Sequence, residues 1–248
     1  MKGPLVSIVM PSYNSSKTIK ESIESVLSQD YDNWELLITD DCSSDKTVSI
    51  VNDFSSQDKR VTLIVNEVNA GAGFSRNVSI ARSSGKYIAF LDADDVWMPN
   101  KLSTQVNYME DTGVLFTYTA YQKFSENGLG SIITPPLQVT YKKLLYSNVI
   151  GCLTAMFNAE ALGRQEMPLI RKRQDMGLWL KLLKKSHTAY AIPDVLALYR
   201  VDSGMTQNKL NAAKYQWEFY RNVVGLNLYQ ATWYFSLYAV NGFIKYRK

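Results

Sequence analysis

The chain has 248 residues, a formal net charge of +4 and 46% hydrophobic residues. That length buries a substantial core in one large domain or a domain with an appendage. The small charge, with no run of five like charges, argues against a dedicated nucleic-acid surface. Two distant cysteines, Cys42 and Cys152, and one histidine, His187, argue against a disulfide framework or a zinc site and suit a reducing cytosol.

From the N-terminus, "LVSIVM" (5 to 10) is an apolar run that Pro11 and Asn14 stop well short of a signal peptide. With "WELLIT" (34 to 39), "VTLIV" (61 to 65) and "YIAFL" (87 to 91) it predicts four short strands, each followed by polar residues. Between the first two, Ile19, Ile23, Val26 and Leu27 have helical spacing, and Thr18 with Glu21 has capping-box spacing. The second connection spaces Val48, Val51 and Phe54 three apart, and the third runs from Gly73 through Val78 and Ala81 to "SSG". Strand and helix in alternation predict an α/β fold with a mostly parallel sheet and helices on both faces. Ligands then bind at the carboxyl ends of the strands. The polar clusters "PSYN", "DDCSSD", "NEVNAGAGFSRN" and "DADD" all fall there. Beyond Pro99 a helix over about 100–110 and a strand "VLFTYTAY" are expected. "SENGLGSIITPP" reads as a hairpin or loop, "LTAMF" (153 to 157) as a strand, 174–185 as a helix with Leu178, Trp179, Leu182 and Leu183 on one face, and the last forty residues as two helices.

Three clusters carry chemistry. Asp92, Asp94 and Asp95 crowd the end of the fourth strand with nothing basic beside them in sequence. Magnesium and manganese take one or two carboxylates and leave the other positions to water and phosphates. In an extended stretch Asp92 and Asp94 would face one metal-diphosphate unit and Asp95 would turn elsewhere; a solvated helix-capping turn is the plain alternative. Asp40 and Asp41 end the second strand in the same way, where a carboxylate can accept the imide N–H of a uracil, and Tyr13 offers a face on which a base can stack. Their plain readings are a helix cap and a rim residue. Gly71 and Gly73 in "NAGAGFSRN" resemble the opening of a dinucleotide fingerprint, with Asp92 near the place of its ribose acid. The third glycine position is Arg76, however, and the motif follows the third strand. Gly73 and Arg76 remain candidate phosphate contacts at a helix N-terminus.

The stretches "VSIVMPSYNSSKTIKESIESVLSQDYDNWELLITDDCSSDKT" and "NAGAGFSRNVSIARSSGKYIAFLDADDVWMPNKL" resemble the nucleotide-binding half of family 2 glycosyltransferases of the GT-A fold, of bacterial polysaccharide or O-antigen type. The resemblance covers roughly residues 4 to 105. It implies inverting transfer of a sugar from a nucleoside diphosphate donor, usually UDP-linked, to a glycan or lipid-linked saccharide, with Mn2+ or Mg2+ as cofactor. By the resemblance Pro11, Tyr13 and Asp40 hold the base, and Asp92 and Asp94 hold ribose, diphosphate and metal; Asn14, Asp41, Gly73, Arg76 and Asp95 are further candidate substrate-binding residues beside them.

The second half resembles the family less closely. "RKRQDMGLWLKLL" looks like its acceptor-side motif; where many members carry two acids, this chain has Gln174 and then Asp175. The resemblance makes Asp175 the catalytic base, and a helix cap is the plain alternative. "ALYRVDSGMT" (197 to 206) resembles the segment that closes over the diphosphate and supplies Arg200, with Asp202 where members often carry histidine. The expected organisation is a domain over 1–207, with a nucleotide half (1–105) and an acceptor half (106–207), and a helical tail over 208–248.

Residues 225 to 244 are uncharged, and Asn227, Gln230, Tyr234 and Asn241 draw a polar stripe along them. Two readings stay open: an interfacial helix on the inner face of the cytoplasmic membrane, or a helix packed on the domain. A nicotinamide-dependent oxidoreductase built on the Gly71 and Gly73 loop, and a sugar-nucleotide-binding module without catalysis, are the competing functions.

Overall fold

Each of the four apolar runs is too short for a helix and ends in residues that seek solvent or ligand, and each forms a strand. In the computed structural model, which describes residues 3–201 and 209–245, these are β1 (Val6–Ser12), β2 (Trp34–Asp40), β3 (Val61–Val65) and β4 (Tyr87–Phe90). They pair in parallel in the order β3-β2-β1-β4, joined by α1 (Ile19–Leu27), α2 (Thr47–Gln57) and α3 (Ala72–Arg82). Alternation along β1 decides the faces. Val6, Ile8 and Met10 pack with Ile19, Ile23 and Val26 of α1, and Val9 packs with Ile80 of α3 on the other side.

One local expectation is corrected. Thr18 is the N-cap of α1 but makes no side-chain capping bond; its Oγ1 donates to the Ala93 carbonyl at 2.8 Å, and the Glu21 carboxylate pairs with Arg200. The capping-box pair thus holds a distant turn. In α3 the buried face is Gly73, Ser75, Arg76, Ser79 and Ile80, while Ala81 is exposed. A polar face can be buried because its partners are present: Ser79 Oγ lies 2.7 Å from Thr39 Oγ1 and donates to the Leu37 carbonyl.

The chain continues through β5 (Val96–Trp97), α4 (Lys101–Thr112), the hairpin of β6 (Phe116–Ser125) and β7 (Gly128–Ile133), β8 (Gln138–Thr140), α5 (Tyr141–Tyr146), β9 (Met156–Asn158), α6 (Ala159–Leu162) and α7 (Gln174–Ser186). Leu153 and Thr154, expected in a strand, belong to a 3-10 turn. β9 bridges the halves, antiparallel to both β4 and β6. The strand β10 (Thr188–Arg200) was not anticipated, because Pro193 and Asp194 interrupt its pattern; its register against β6 shifts between Ile192 and Val195. The predicted face of α7 is fully buried, and Trp179 meets Phe90 edge-on at 5.4 Å between ring centroids.

The tail forms α8 (Lys209–Glu218), a π-turn over Phe219–Val223 and α9 (Leu228–Lys245). Phe219, Tyr220 and Ala231 are buried in the cluster that contains Trp179. The polar stripe holds only in part: Asn227 and Gln230 are exposed, but Tyr234 turns inward against the Tyr146 and Tyr220 rings, as Phe235 does against Trp217. Leu228, Tyr229 and Trp233 face outward, 64%, 88% and 60% exposed. The side chain of Asn241 lies outside the described residues. No helix among the described residues is long and apolar enough to cross a membrane.

One charge is buried without a carboxylate beside it. Lys101 opens α4 with no exposed surface; its Nζ donates to Gln105 Oε1 at 2.5 Å and lies 3.9 Å from the Trp97 ring centroid. Burial pulls its pKa down to about 7. The unfolded chain therefore holds one more proton between about pH 7 and 10, so this group makes stability rise with pH across that window. Lys101→Met should remove that dependence. Urea unfolding should show the variant gaining on wild type by about 1–3 kcal/mol at pH 7, once the unpaired Gln105 oxygen is set against the relieved charge. The gain should vanish or reverse near pH 10, where the unpaired Gln105 oxygen remains and the relieved charge does not. Equal stability of the two proteins at both pH values would count against a buried ammonium.

Candidate active site

The carboxyl ends of β1 and β2 form one zipped rim. Ser12 Oγ and Ser43 Oγ donate to Asp40 Oδ1 at 3.1 and 2.6 Å, and Ser43 N donates to Asp40 Oδ2 at 2.8 Å. Asn14, at φ 48°, accepts from Ser44 N at 2.9 Å and donates its own N–H to Ser43 Oγ. Asp41 reaches the glycine loop: its Oδ1 accepts from Asn66 Nδ2 and Ala70 N, each at 2.9 Å, and its Oδ2 from Gly71 N at 2.7 Å. Both carboxylates expected beside a base are thus buried and occupied by their own loops. Pro11 is buried in β1, whereas Tyr13 stands 53% exposed at the rim.

The acidic cluster is a turn, not an extended stretch. Asp95 N donates to the Asp92 carbonyl at 3.1 Å, and the three side chains part. Asp92 accepts from Arg76 Nη2 at 2.5 Å. Asp94 is half-buried on the turn. Asp95 turns inward, is 1% exposed, and accepts from Arg200 N at 2.9 Å. Burial, then the charges of Asp92 and Asp94, hold the Asp95 carboxyl well above the usual carboxylate range. Arg200 is not an ordinary surface arginine: its Nε donates to the Asp94 carbonyl at 2.8 Å, its Nη2 pairs with Glu21, and its guanidinium covers the Phe124 ring at 4.3 Å. Residues 202–208, including Asp202, lie outside the described residues.

Arg76 joins the two halves. Buried at 8% exposure, it donates Nη1 to Gln174 Oε1 at 3.2 Å while pairing with Asp92; its buried Nε has no hydrogen-bond partner among the described residues. Gly73 permits this approach, since a Cβ there would meet Gln174 Cδ at 2.9 Å. Asp175 follows in the first turn of α7. It is not the helix cap, because Arg173 holds that position with no side-chain capping bond, and Asp175 accepts from Asn148 Nδ2 at 2.8 Å. Asn148 had no motif to mark it. Cys152 also lies within electrostatic reach of Arg76, Asp92 and Asp175; burial, chiefly, pushes its thiol well up.

The donor set fits a hard divalent cation of the magnesium or manganese kind. Among the described residues no three acidic, histidine or cysteine side chains converge as a cage, and such ions use one or two carboxylates and keep places for phosphate oxygens. Of the carboxylates on the turn, Asp92 faces Arg76, Asp95 is buried and Asp94 is half-buried.

The Asp41 clamp is testable. Asp41→Asn keeps the size but turns an NH2 toward an N–H donor, and it should cost about 1–3 kcal/mol in urea unfolding. A variant as stable as wild type would show that the carboxylate does not hold the glycine loop.

Comparison with known proteins agrees with this geometry. The profile described as Glycosyl transferase family 2 matches residues 7–159. A Bacillus subtilis (strain 168) glycosyltransferase named provisionally for teichuronic acid biosynthesis, TuaG, is 42% identical over 241 residues, covering 96% of each chain. The Escherichia coli protein WfgD, named a UDP-Glc:alpha-D-GlcNAc-diphosphoundecaprenol beta-1,3-glucosyltransferase, is 41% identical over 88% of this chain and 86% of its own. Among solved structures, S. aureus TarS 1–349 in complex with UDP-GlcNAc superposes with a TM-score of 0.72 at 18% identity, over 94% of this chain and 71% of that one. The mannosyltransferase PcManGT from Pyrobaculum calidifontis, in complex with GDP-Man and Mn2+, gives 0.70 at 18% identity, over 96% and 74%. These structural neighbours share the GT-A fold, a mostly parallel sheet flanked by helices. The chain belongs to glycosyltransferase family 2.

Proposed function

We propose that this enzyme transfers a sugar, with inversion, from a UDP-linked donor to a hydroxyl of a saccharide carried on a lipid diphosphate. The observation that carries the reading is the Asp92–Arg76–Gln174 bridge. It sets the acidic turn, on the donor side, against the start of α7, where Asp175 is held by Asn148. UDP is favoured by the named donor of WfgD and by the exposed Tyr13 face beside the rim. The acceptor class follows the diphosphoundecaprenol in the same name.

In the proposed reaction Asp175 takes the proton of the acceptor hydroxyl. That oxygen attacks the anomeric carbon from the face opposite the diphosphate. The carbon–oxygen bond to UDP breaks, and its electron pair leaves with the β-phosphate oxygen. A divalent cation held by Asp94 would supply positive charge to that leaving group. Asn148 fixes the carboxylate that moves the proton, and Arg76 places a buried positive charge between Asp92 and α7.

Two carboxylate variants separate binding from chemistry. Asp94→Asn should lose manganese-dependent UDP binding and transfer together, because an amide oxygen is a poorer ligand for a hard cation. Asp175→Asn should bind UDP with manganese as wild type does while transfer falls by roughly two orders of magnitude or more. Calorimetry and a UDP-release assay read both, and wild-type turnover in Asp175→Asn would mean that another group is the base.

We also propose that the enzyme works at the membrane face, with the outward Leu228, Tyr229 and Trp233 of α9 entering the headgroup layer. Because the opposite face of α9 is packed on the domain, point changes test this better than truncation. Tyr229→Ser with Trp233→Ser should reduce sedimentation with anionic vesicles and leave the melting temperature near wild type. Undiminished sedimentation would refute the contact.

A further inference from the structure

A groove of about 190 Å³ separates the loop that enters α7 from the tail, and its lining includes Ile170, Arg171, Lys172, Tyr215, Glu218 and Val223. The loop bends at Arg173, φ 69°, which turns that guanidinium to α9: its Nη2 donates to Tyr238 Oη at 2.7 Å, over a ring 5.5 Å away. Its two neighbours remain in the groove. Arg171 is exposed and forms no ion pair among the described residues. Lys172 Nζ lies 5.2 Å from the Tyr215 ring centroid. Glu218 is the carboxylate in this lining, and it already faces Lys214 Nζ at 3.9 Å. Two cations that form no ion pair among the described residues therefore sit three and four residues before Asp175.

We infer that Arg171 and Lys172 hold the diphosphate of the lipid-linked acceptor. The inference rests on the acceptor class proposed above and adds to it the residues that recognise its charge. Guanidinium matches phosphate oxygens with paired donors, and ammonium adds a point charge. The apolar side chains of Ile170 and Val223 suit the first carbons of the lipid. In a single sugar joined to diphosphate at its anomeric carbon, the remaining hydroxyls lie within one ring of that group. A diphosphate held just ahead of α7 thus leaves a hydroxyl for Asp175.

The test is binding of farnesyl diphosphate to the full chain preloaded with UDP and manganese, so that the nucleotide site is filled, with farnesol as the uncharged control. Wild type should prefer farnesyl diphosphate by about tenfold or more. Arg171→Gln with Lys172→Gln should lose that preference while UDP affinity and melting temperature stay unchanged. Unaltered preference in the double variant overturns the inference. So does a variant that keeps farnesyl diphosphate binding and loses only its hold on phosphatidylglycerol vesicles, because the cations then serve the bilayer. Failure of the transfer reading shows separately: a wild type that binds farnesyl diphosphate through these residues yet releases no UDP from a UDP-sugar retains the site and loses the reaction.

Discussion

Three carboxylates within four residues repel one another, and much of the molecule is placed to hold them. Unit charges about 5 Å apart at an effective dielectric near 20 repel by roughly 3 kcal/mol. The turn persists because three elements reach it: Arg76 from α3 pairs with Asp92, Arg200 at the end of β10 binds the Asp94 carbonyl and the Asp95 side chain, and Thr18 ahead of α1 holds the Ala93 carbonyl. Asp95 lessens the repulsion by favouring its protonated form. A turn that needs this much support is an expensive way to cap a helix. It is a reasonable way to present a carboxylate to a cation and its diphosphate.

The Arg76 guanidinium also explains Gln174. An acidic side chain there would compete with Asp92 for the Arg76 guanidinium. A neutral amide accepts from Nη1 and leaves the charge to Asp92. Asp175 is then the lone acid in the first turn of α7, where the helix N-terminus favours a negative charge. Gly73 lets α3 come close enough for the bridge to form. The placement of donor-side turn and acceptor-side helix therefore depends on a glycine, an arginine and an amide that belong to different segments.

The sequence made the first half legible because its signals are local. Apolar runs of five or six residues, helical spacing and polar strand ends are all read within one window, and they located β1 to β4 and the rim clusters. What escaped depends on contacts distant in sequence. β10 is broken by Pro193 and Asp194, and is a strand because it pairs with β6 over a bulge. Thr18 and Glu21 have capping-box spacing, but stronger partners lie 75 and 179 residues away. Asn148 carries no signature, since a single amide in a loop acquires meaning only when Asp175 arrives beside it. The acidic turn was legible as a cluster but not as a division of labour, because burial decided which carboxylate turned inward.

The tail shows how polarity alone can mislead about which side of a helix faces water. Tyr234 has a hydroxyl and was counted as polar, yet its ring packs between Tyr146 and Tyr220, as amphipathic aromatic side chains can. The apolar Leu228 and Trp233 are left outside. Together with Tyr229 they leave an apolar face exposed, which suits contact with another apolar phase such as a bilayer. α9 is also tied, through Tyr238 and Arg173, to the residue that caps α7. A membrane contact made by α9 would then fix the height of Asp175 above the headgroups, which is the coordinate that matters for an acceptor whose sugar is held on a lipid.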